Sequence, residues 1–122
     1  MSTIDVLSVT KLSPLFETQL RAAFNLHDRT HENDPAAFEK IAPNIRAIAA
    51  SGESKVPQSL IERLPALEII SVFGVGYDGV DVKAAKARNI MVTHTPNVLN
   101  DDVADLAIGL MLAAARQLPA AD

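Results

Sequence analysis

Six residues past the middle of the chain, Gly74-Val75-Gly76-Tyr77-Asp78-Gly79, match G-x-G-x-x-G. A strand-like apolar run precedes them and a helical segment follows. Glycines placed there let backbone N–H groups approach a ligand and point outward at the carboxyl edge of a sheet. Three uses are open to such a turn. It can cradle a dinucleotide pyrophosphate. It can hold a smaller anion, a carboxylate or a phosphate, on the same amides. Or Gly76 and Gly79 merely permit positive φ in a tight turn. Three details weigh against the dinucleotide. The fingerprint belongs to the first strand–helix unit, and this turn is in the fourth. The next strand should end in an acid for the ribose, but it runs into His94-Thr95. The following helix starts late, near Val80-Asp81. The small-anion loop is therefore preferred.

Other polar residues are weaker candidates. His94 sits at a strand's carboxyl end, where histidine often serves as acid or base, yet no carboxylate is spaced to orient it. It reads as a strand-end residue with a local hydrogen bond. His27, Asp28, His31 and Glu32 fall short of a convergent metal set and read as a solvated loop; no metal site is expected. Asp78 and Asp81 lie three apart, and one of them should cap the next helix. Asp101 and Asp102 belong to a first helical turn in the same way. Lys55 is the one cation placed to reach an anion at the sheet edge, though a solvated lysine is the simpler reading.

The elements that position these residues alternate between strand and helix. Residues 4–9 (IDVLSV) alternate apolar and polar side chains, as a strand does. Ser13-Pro14 opens a helix, with serine as cap and proline at the first helical position. Leu15, Leu20, Ala22 and Ala23 should form its apolar side. A short strand follows near 24–27, and Asp34-Pro35 repeats the helix-start signal. Residues 45–50 are a third strand, followed by Ser51-Gly52 and a short helix between Pro57 and Pro65. Residues 67–73 (LEIISVF) are the strongest strand. A fourth helix spans 82–88, Asn89 stops it, and 90–93 is a fifth strand. Asn100 caps a last helix reaching about Arg116. Five strand–helix units predict an α/β fold: a flavodoxin-like five-stranded parallel sheet in the order 2-1-3-4-5, with helices on both faces.

Composition narrows the function further. The 122 residues are 48% hydrophobic and 21% charged, as in a single globular domain. Cysteine is absent, which excludes disulfides and thiolate metal sites. The net charge of −4, the lack of tryptophan and the single tyrosine oppose nucleic-acid binding. The apolar run 106–115 is too short to span a bilayer. No signal peptide is evident, so a cytoplasmic protein without membrane attachment is expected. In the last helix Val103, Leu106, Ala107, Leu110 and Met111 form one stripe, while Ile108, Leu112 and Ala115 lie off it. A helix apolar nearly all round expects cover on two sides, from a second domain or subunit.

Residues 64–116 resemble the N-terminal part of D-2-hydroxyacid dehydrogenases, most closely glyoxylate/hydroxypyruvate and hydroxyphenylpyruvate reductases. The resemblance rests on Gly74-Val75-Gly76-Tyr77-Asp78 with Val80-Asp81, on Thr95-Pro96, and on Asn100-Asp101-Asp102-Val103-Ala104-Asp105. It implies that the Val75 and Gly76 amides bind a substrate carboxylate and that Ser51 and Gly52 border the substrate. It also implies that Leu99, Asn100 and Val103 approach the nicotinamide of NADP or NAD in the intact enzyme. The family's own dinucleotide fingerprint, carboxylate-clamping arginine and proton-transfer pair lie downstream of this segment. By resemblance, then, residues 1–99 are a substrate domain, and 100–122 begin the crossover to a missing nucleotide-binding domain. The expected substrate is a small 2-keto acid, and the intact parent is expected to be a homodimer. The chain alone should bind no cofactor, contain no catalytic residue and be inactive. The competing readings are a stand-alone module for a small anion or a mononucleotide such as FMN, with Tyr77 to stack the ring, and a free structural domain.

Overall fold

The computed structural model describes residues 3–95 together with Ile108 and Met111. Five strands, β1 (Asp5–Ser8), β2 (Asn25–Asp28), β3 (Ile45–Ser51), β4 (Ile69–Phe73) and β5 (Met91–His94), form one sheet. Its order is β2-β1-β3-β4-β5, and every pairing is parallel. The expected topology is therefore the observed one, with strand ends displaced by a residue or two. β3 and β4 lie inside the sheet and are buried along most of their length. Their runs rich in Ile, Ala and Val, interrupted within β3 by Arg46 and within β4 by Ser71, suit strands covered on both faces.

The helices start where side chains replace missing backbone partners. Helix α1 (Pro14–Ala23) is capped by Ser13, whose hydroxyl accepts the Phe16 amide, with Pro14 in the first turn. Helix α3 (Pro35–Ile41) repeats the arrangement: Asp34 accepts the Ala37 amide at 3.1 Å. Between them lies α2 (Thr30–Asn33), a single turn that no sequence signal announced. Arg29 enters it in the left-handed conformation, φ 50°. Helix α4 (Gln58–Glu62) precedes β4, and α5 (Val82–Ala87) precedes β5. Asp81 caps α5 by accepting the Ala84 amide at 2.9 Å, and Asn89 stops it at φ 57°. Asp81→Ala should cost about 1 kcal/mol, read as a lowered urea midpoint, whereas Asp81→Asn should cost far less.

Two apolar clusters sandwich the sheet. One gathers Leu7, Phe38, Ile45, Ile48, Ile61, Leu64, Ile70 and Val72 among others, under α3, α4 and α5. The other gathers Val6, Leu12, Phe16, Leu20, Leu26, Ala47, Ala49 and Ile69. The buried side of α1 is thus Phe16 and Leu20, four apart; Leu15, Ala22 and Ala23 are exposed. Leu15, expected on the apolar side, lies off it because it precedes Phe16 by one residue, a 100° turn of the helix. Met111, helical and 1% exposed, joins the second cluster, and Ile108 packs against it. Residues three apart share a helix face, so Ile108 lies with Met111 rather than off the stripe. The remainder of the last helix is outside the described residues.

Candidate functional site

The two loops singled out by sequence meet at the carboxyl edge. Loop 52–57 leaves β3, and turn 74–81 leaves β4. They are joined by a parallel bridge between Val56 and Val80. The Val56 amide donates to the Gly79 carbonyl at 2.9 Å, and the Asp81 amide donates to the Val56 carbonyl at 3.0 Å. Glycine is required at the junction. A methyl group on Gly79 would lie 1.9 Å from the Ser54 carbonyl oxygen, and one on Gly74 would lie 3.2 Å from the Gly52 nitrogen. The backbone strain also falls elsewhere than expected: among the turn glycines it is Gly74 that has positive φ, 155°, not Gly76 or Gly79. Gly79 serves close approach, and its neighbour lies 25 residues away in sequence, beyond any local signal.

Val75 and Gly76 are exposed, and among the described residues no acceptor takes either amide. The preceding carbonyls are pinned. The Gly74 carbonyl accepts the Thr95 amide at 2.9 Å. The Val75 carbonyl lies 2.8 Å from His94 Nδ1. In a trans peptide the C=O and N–H point to opposite sides. Both pinning groups belong to the end of β5, so both free N–H groups are turned away from β5, toward the side where β3 and loop 52–57 lie. Consecutive amides presented to one side make an anion-binding concavity. Gly52 closes that side: a methyl placed on it would lie 3.4 Å from the Gly76 carbonyl oxygen and 3.9 Å from the Gly76 nitrogen.

The structure brings Gly52, Val75 and Gly76 together. Ser51 is there too, but its polar groups are engaged. Its amide donates to Ser54 Oγ at 2.7 Å, and the two hydroxyls are 3.1 Å apart. It shapes the loop. Leu99, Asn100 and Val103 lie outside the described residues. Lys55 is exposed and lines a different space, an open groove of about 340 Å³ with His31, Glu32 and Arg63. Nor is it the one cation near this edge: Lys11 follows β1, and Arg29 follows β2.

The histidine loop is less solvated than its sequence suggests. His27 pairs with Asp5 across β1 and β2 at 2.9 Å, and His31 tilts onto the Phe38 ring, centroids 6.0 Å apart. Among the described residues no three metal-ligating side chains converge. Burial pushes the His31 pKa down, helped by the Arg63 charge and opposed by Glu32. The Asp28 carboxylate is held below its ordinary value, first by its hydrogen bonds to Arg29 at 2.9 and 3.0 Å and also by Ser8, against the cost of burial. Both depressed values make the unfolded chain the stronger proton binder at acid pH. Stability should therefore be full above His31's ordinary 6.5 and fall as pH drops, through His31 first and Asp28 later. Urea midpoints between about pH 7.5 and 2.5 measure this, with His31 read above about pH 4 and Asp28 below it. His31→Asn should flatten the upper part of the decline.

The glycine turn does not suit a pyrophosphate. The helix behind it spans only Val82–Ala87, its first turn is capped by the Asp81 carboxylate, and Gly79 faces Ser54 rather than open space. A negative cap repels a phosphate where a dinucleotide fold would offer free amides. Nor is Tyr77 a free stacking platform, since its ring rests on His94 with centroids 4.8 Å apart.

In open parallel α/β sheets, ligands bind in the crevice beyond the carboxyl ends of the strands, the edge at which the free Val75 and Gly76 amides lie. Residues 6–117 match the model of the D-isomer specific 2-hydroxyacid dehydrogenase catalytic domain, and the chain belongs to that family. It is 42% identical over 114 residues to the 2-ketogluconate reductase of Gluconobacter oxydans, covering 93% of this chain and 36% of that protein. With glyoxylate/hydroxypyruvate reductase A of Arabidopsis thaliana it shares 41% over 119 residues, covering 97% of this chain and 38% of the relative. Among solved structures, a 2-hydroxyacid dehydrogenase from Ketogulonicigenium vulgare superposes with a TM-score of 0.75 at 43% identity, over 99% of this chain and 38% of that one. An NADPH-dependent glyoxylate/hydroxypyruvate reductase from Sinorhizobium meliloti, solved with citrate, gives 0.66 at 40% identity, over 93% of this chain and 35% of its own. The chain thus spans somewhat more than a third of the length of these relatives. No helix among the described residues is long and apolar enough to cross a membrane.

Proposed function

We propose that this chain is the keto-acid-binding part of an NAD(P)H-dependent D-2-hydroxyacid dehydrogenase that reduces a small 2-keto acid, such as glyoxylate or hydroxypyruvate, to the D-2-hydroxy acid. The observation that carries this reading is the pair of free amides at Val75 and Gly76, oriented by pinned carbonyls and faced by Gly52. Two neutral N–H donors fixed on one side stabilise a carboxylate without the cost of reorganising when it arrives. The relatives' names support the substrate class: they are reductases of glyoxylate, hydroxypyruvate and 2-ketogluconate. The Sinorhizobium meliloti enzyme is also solved with NADP and malonate, a small carboxylate.

The role of these residues is to grip the substrate's negative end, orienting the keto carbon toward a hydride donor held by a separate nucleotide-binding domain. Leu99, Asn100 and Val103 are assigned to the boundary between the two, residues 1–99 to the substrate domain, and the intact enzyme to a homodimer. Cofactor chemistry belongs to the other domain, and binding and orientation to this one. NADPH and NADH oxidation with glyoxylate and hydroxypyruvate tests the proposal. The 122-residue chain should give no turnover, and the same chain joined to a family nucleotide-binding domain should give activity. Clear turnover by the chain alone, or none by the joined protein, would refute it.

A further inference from the structure

We infer that His94 is a positioning residue: its imidazole, by holding the Val75 carbonyl, fixes the direction of the Gly76 amide that the proposed carboxylate site uses. This rests on the proposed function and adds a device to it. A carbonyl oxygen only accepts, so at 2.8 Å the His94 Nδ1 must carry the proton. The Val75 carbonyl and the Gly76 N–H are two ends of one planar group. Fixing the first fixes the second, on the opposite side. The other peptide of the site needs no such help, because Thr95 holds the Gly74 carbonyl through backbone alone. The Val75–Gly76 peptide lies one residue beyond the reach of the β5 backbone, and a side chain extends the ladder to it. The Tyr77 ring, tilted 54° against the imidazole, limits how far that ring can swing.

Without the imidazole this peptide loses the one hydrogen bond that holds its carbonyl among the described residues. A Cβ on Gly76 would meet no atom within 4 Å, so the space on that side of the residue is open. Carboxylate binding would then have to order the peptide as well as engage it, and the affinity falls by that amount. His94 is exposed at the sheet edge, so its replacement should leave the fold intact. Asparagine suits as the conservative variant, because its amide nitrogen stands as many bonds from Cβ as Nδ1 does.

The test is NMR on the ¹⁵N-labelled 122-residue chain, with sodium glyoxylate as the probe. In the ligand-free protein the imidazole nitrogen shifts should place the proton on Nδ1; a neutral ring protonated on Nε2 overturns the inference. On titration, the wild-type Val75 and Gly76 amides should move together. His94→Leu should weaken glyoxylate binding about tenfold, and His94→Asn should restore it to within about threefold. Undiminished binding by His94→Leu, with both amides still responding, overturns the role of His94 and leaves the carboxylate site standing. No response at Val75 and Gly76 in the wild type overturns that site, and the role built on it as well.

Discussion

Gly79→Ala should be among the most damaging single-methyl changes available to this protein. The added carbon would sit 1.9 Å from the Ser54 carbonyl oxygen and 2.9 Å from its carbon. Both are backbone atoms, so no side chain can rotate to make room. The clash is relieved only by separating the two loops, which breaks the paired hydrogen bonds between Val56 and its partners Gly79 and Asp81. The expected loss reaches or passes the upper end of the ~1–3 kcal/mol that overpacking usually costs. Urea denaturation measures it, and glyoxylate binding should be lost in parallel because Gly52 would no longer face Gly76. Gly76→Ala is the control: it meets nothing within 4 Å and should change stability by less than about 0.5 kcal/mol. Equal stability of Gly79→Ala and the wild type would show that the loops do not approach as described.

Phe16→Ala should lower the unfolding free energy by about 3–5 kcal/mol, a large share of the total for a domain of this size. Phe16 is fully buried, and its ring stacks on Phe73 with centroids 5.1 Å apart. Removing it leaves a cavity beside Phe73, within the cluster that also holds Leu20, Ala47 and Ala49. Phe16→Leu, which refills most of that volume, should cost much less. The site should also feel the cavity. Phe73 ends β4 and is followed directly by Gly74 and Val75. Hydrogen exchange at the amides of Phe73 and Gly74 should therefore speed up more than in β5, none of whose residues belongs to this cluster. Uniform acceleration across all five strands would mean that the cavity destabilises the fold globally without touching the edge in particular.

The features legible in the sequence were those encoded within a few residues. Ser13, Asp34 and Asp81 announce helix starts because a cap and its amide lie three apart in the chain. Asn89 announces a stop because it tolerates the left-handed conformation. The strand–helix alternation implies a parallel sheet covered on both faces, right-handed crossovers leave few topologies, and the count of five strands favours the flavodoxin-like order over a Rossmann-like one. The placement of Ser51, Gly52, Val75 and Gly76 at one edge followed from that order and from the family resemblance. What escaped depends on contacts between distant residues. Nothing local distinguishes Gly79, where an added methyl would strike Ser54, from Gly76, where it would meet no atom within 4 Å. Nothing marks His94 as the partner of Val75, since the donor and its carbonyl are 19 residues apart. Helix α2 also escaped, because Thr30-His31-Glu32-Asn33 carries no apolar stripe. Arg88 did as well: it donates to the Leu64 and Pro65 carbonyls at 2.9 and 3.1 Å, closing the segment that follows α4.

The bridge between Val56 and Val80 bears on how such a domain can change its preferences over time. Two loops that share main-chain bonds and meet at a methyl-free contact cannot be lengthened independently. An insertion in either would shift the register of both. New specificity would therefore arise by exchanging side chains on an unaltered frame, at exposed positions such as Glu53, Val75 and Tyr77. A designer seeking to fit a bulkier ligand at the proposed carboxylate site should leave the lengths of these two segments alone and build a library at those three positions.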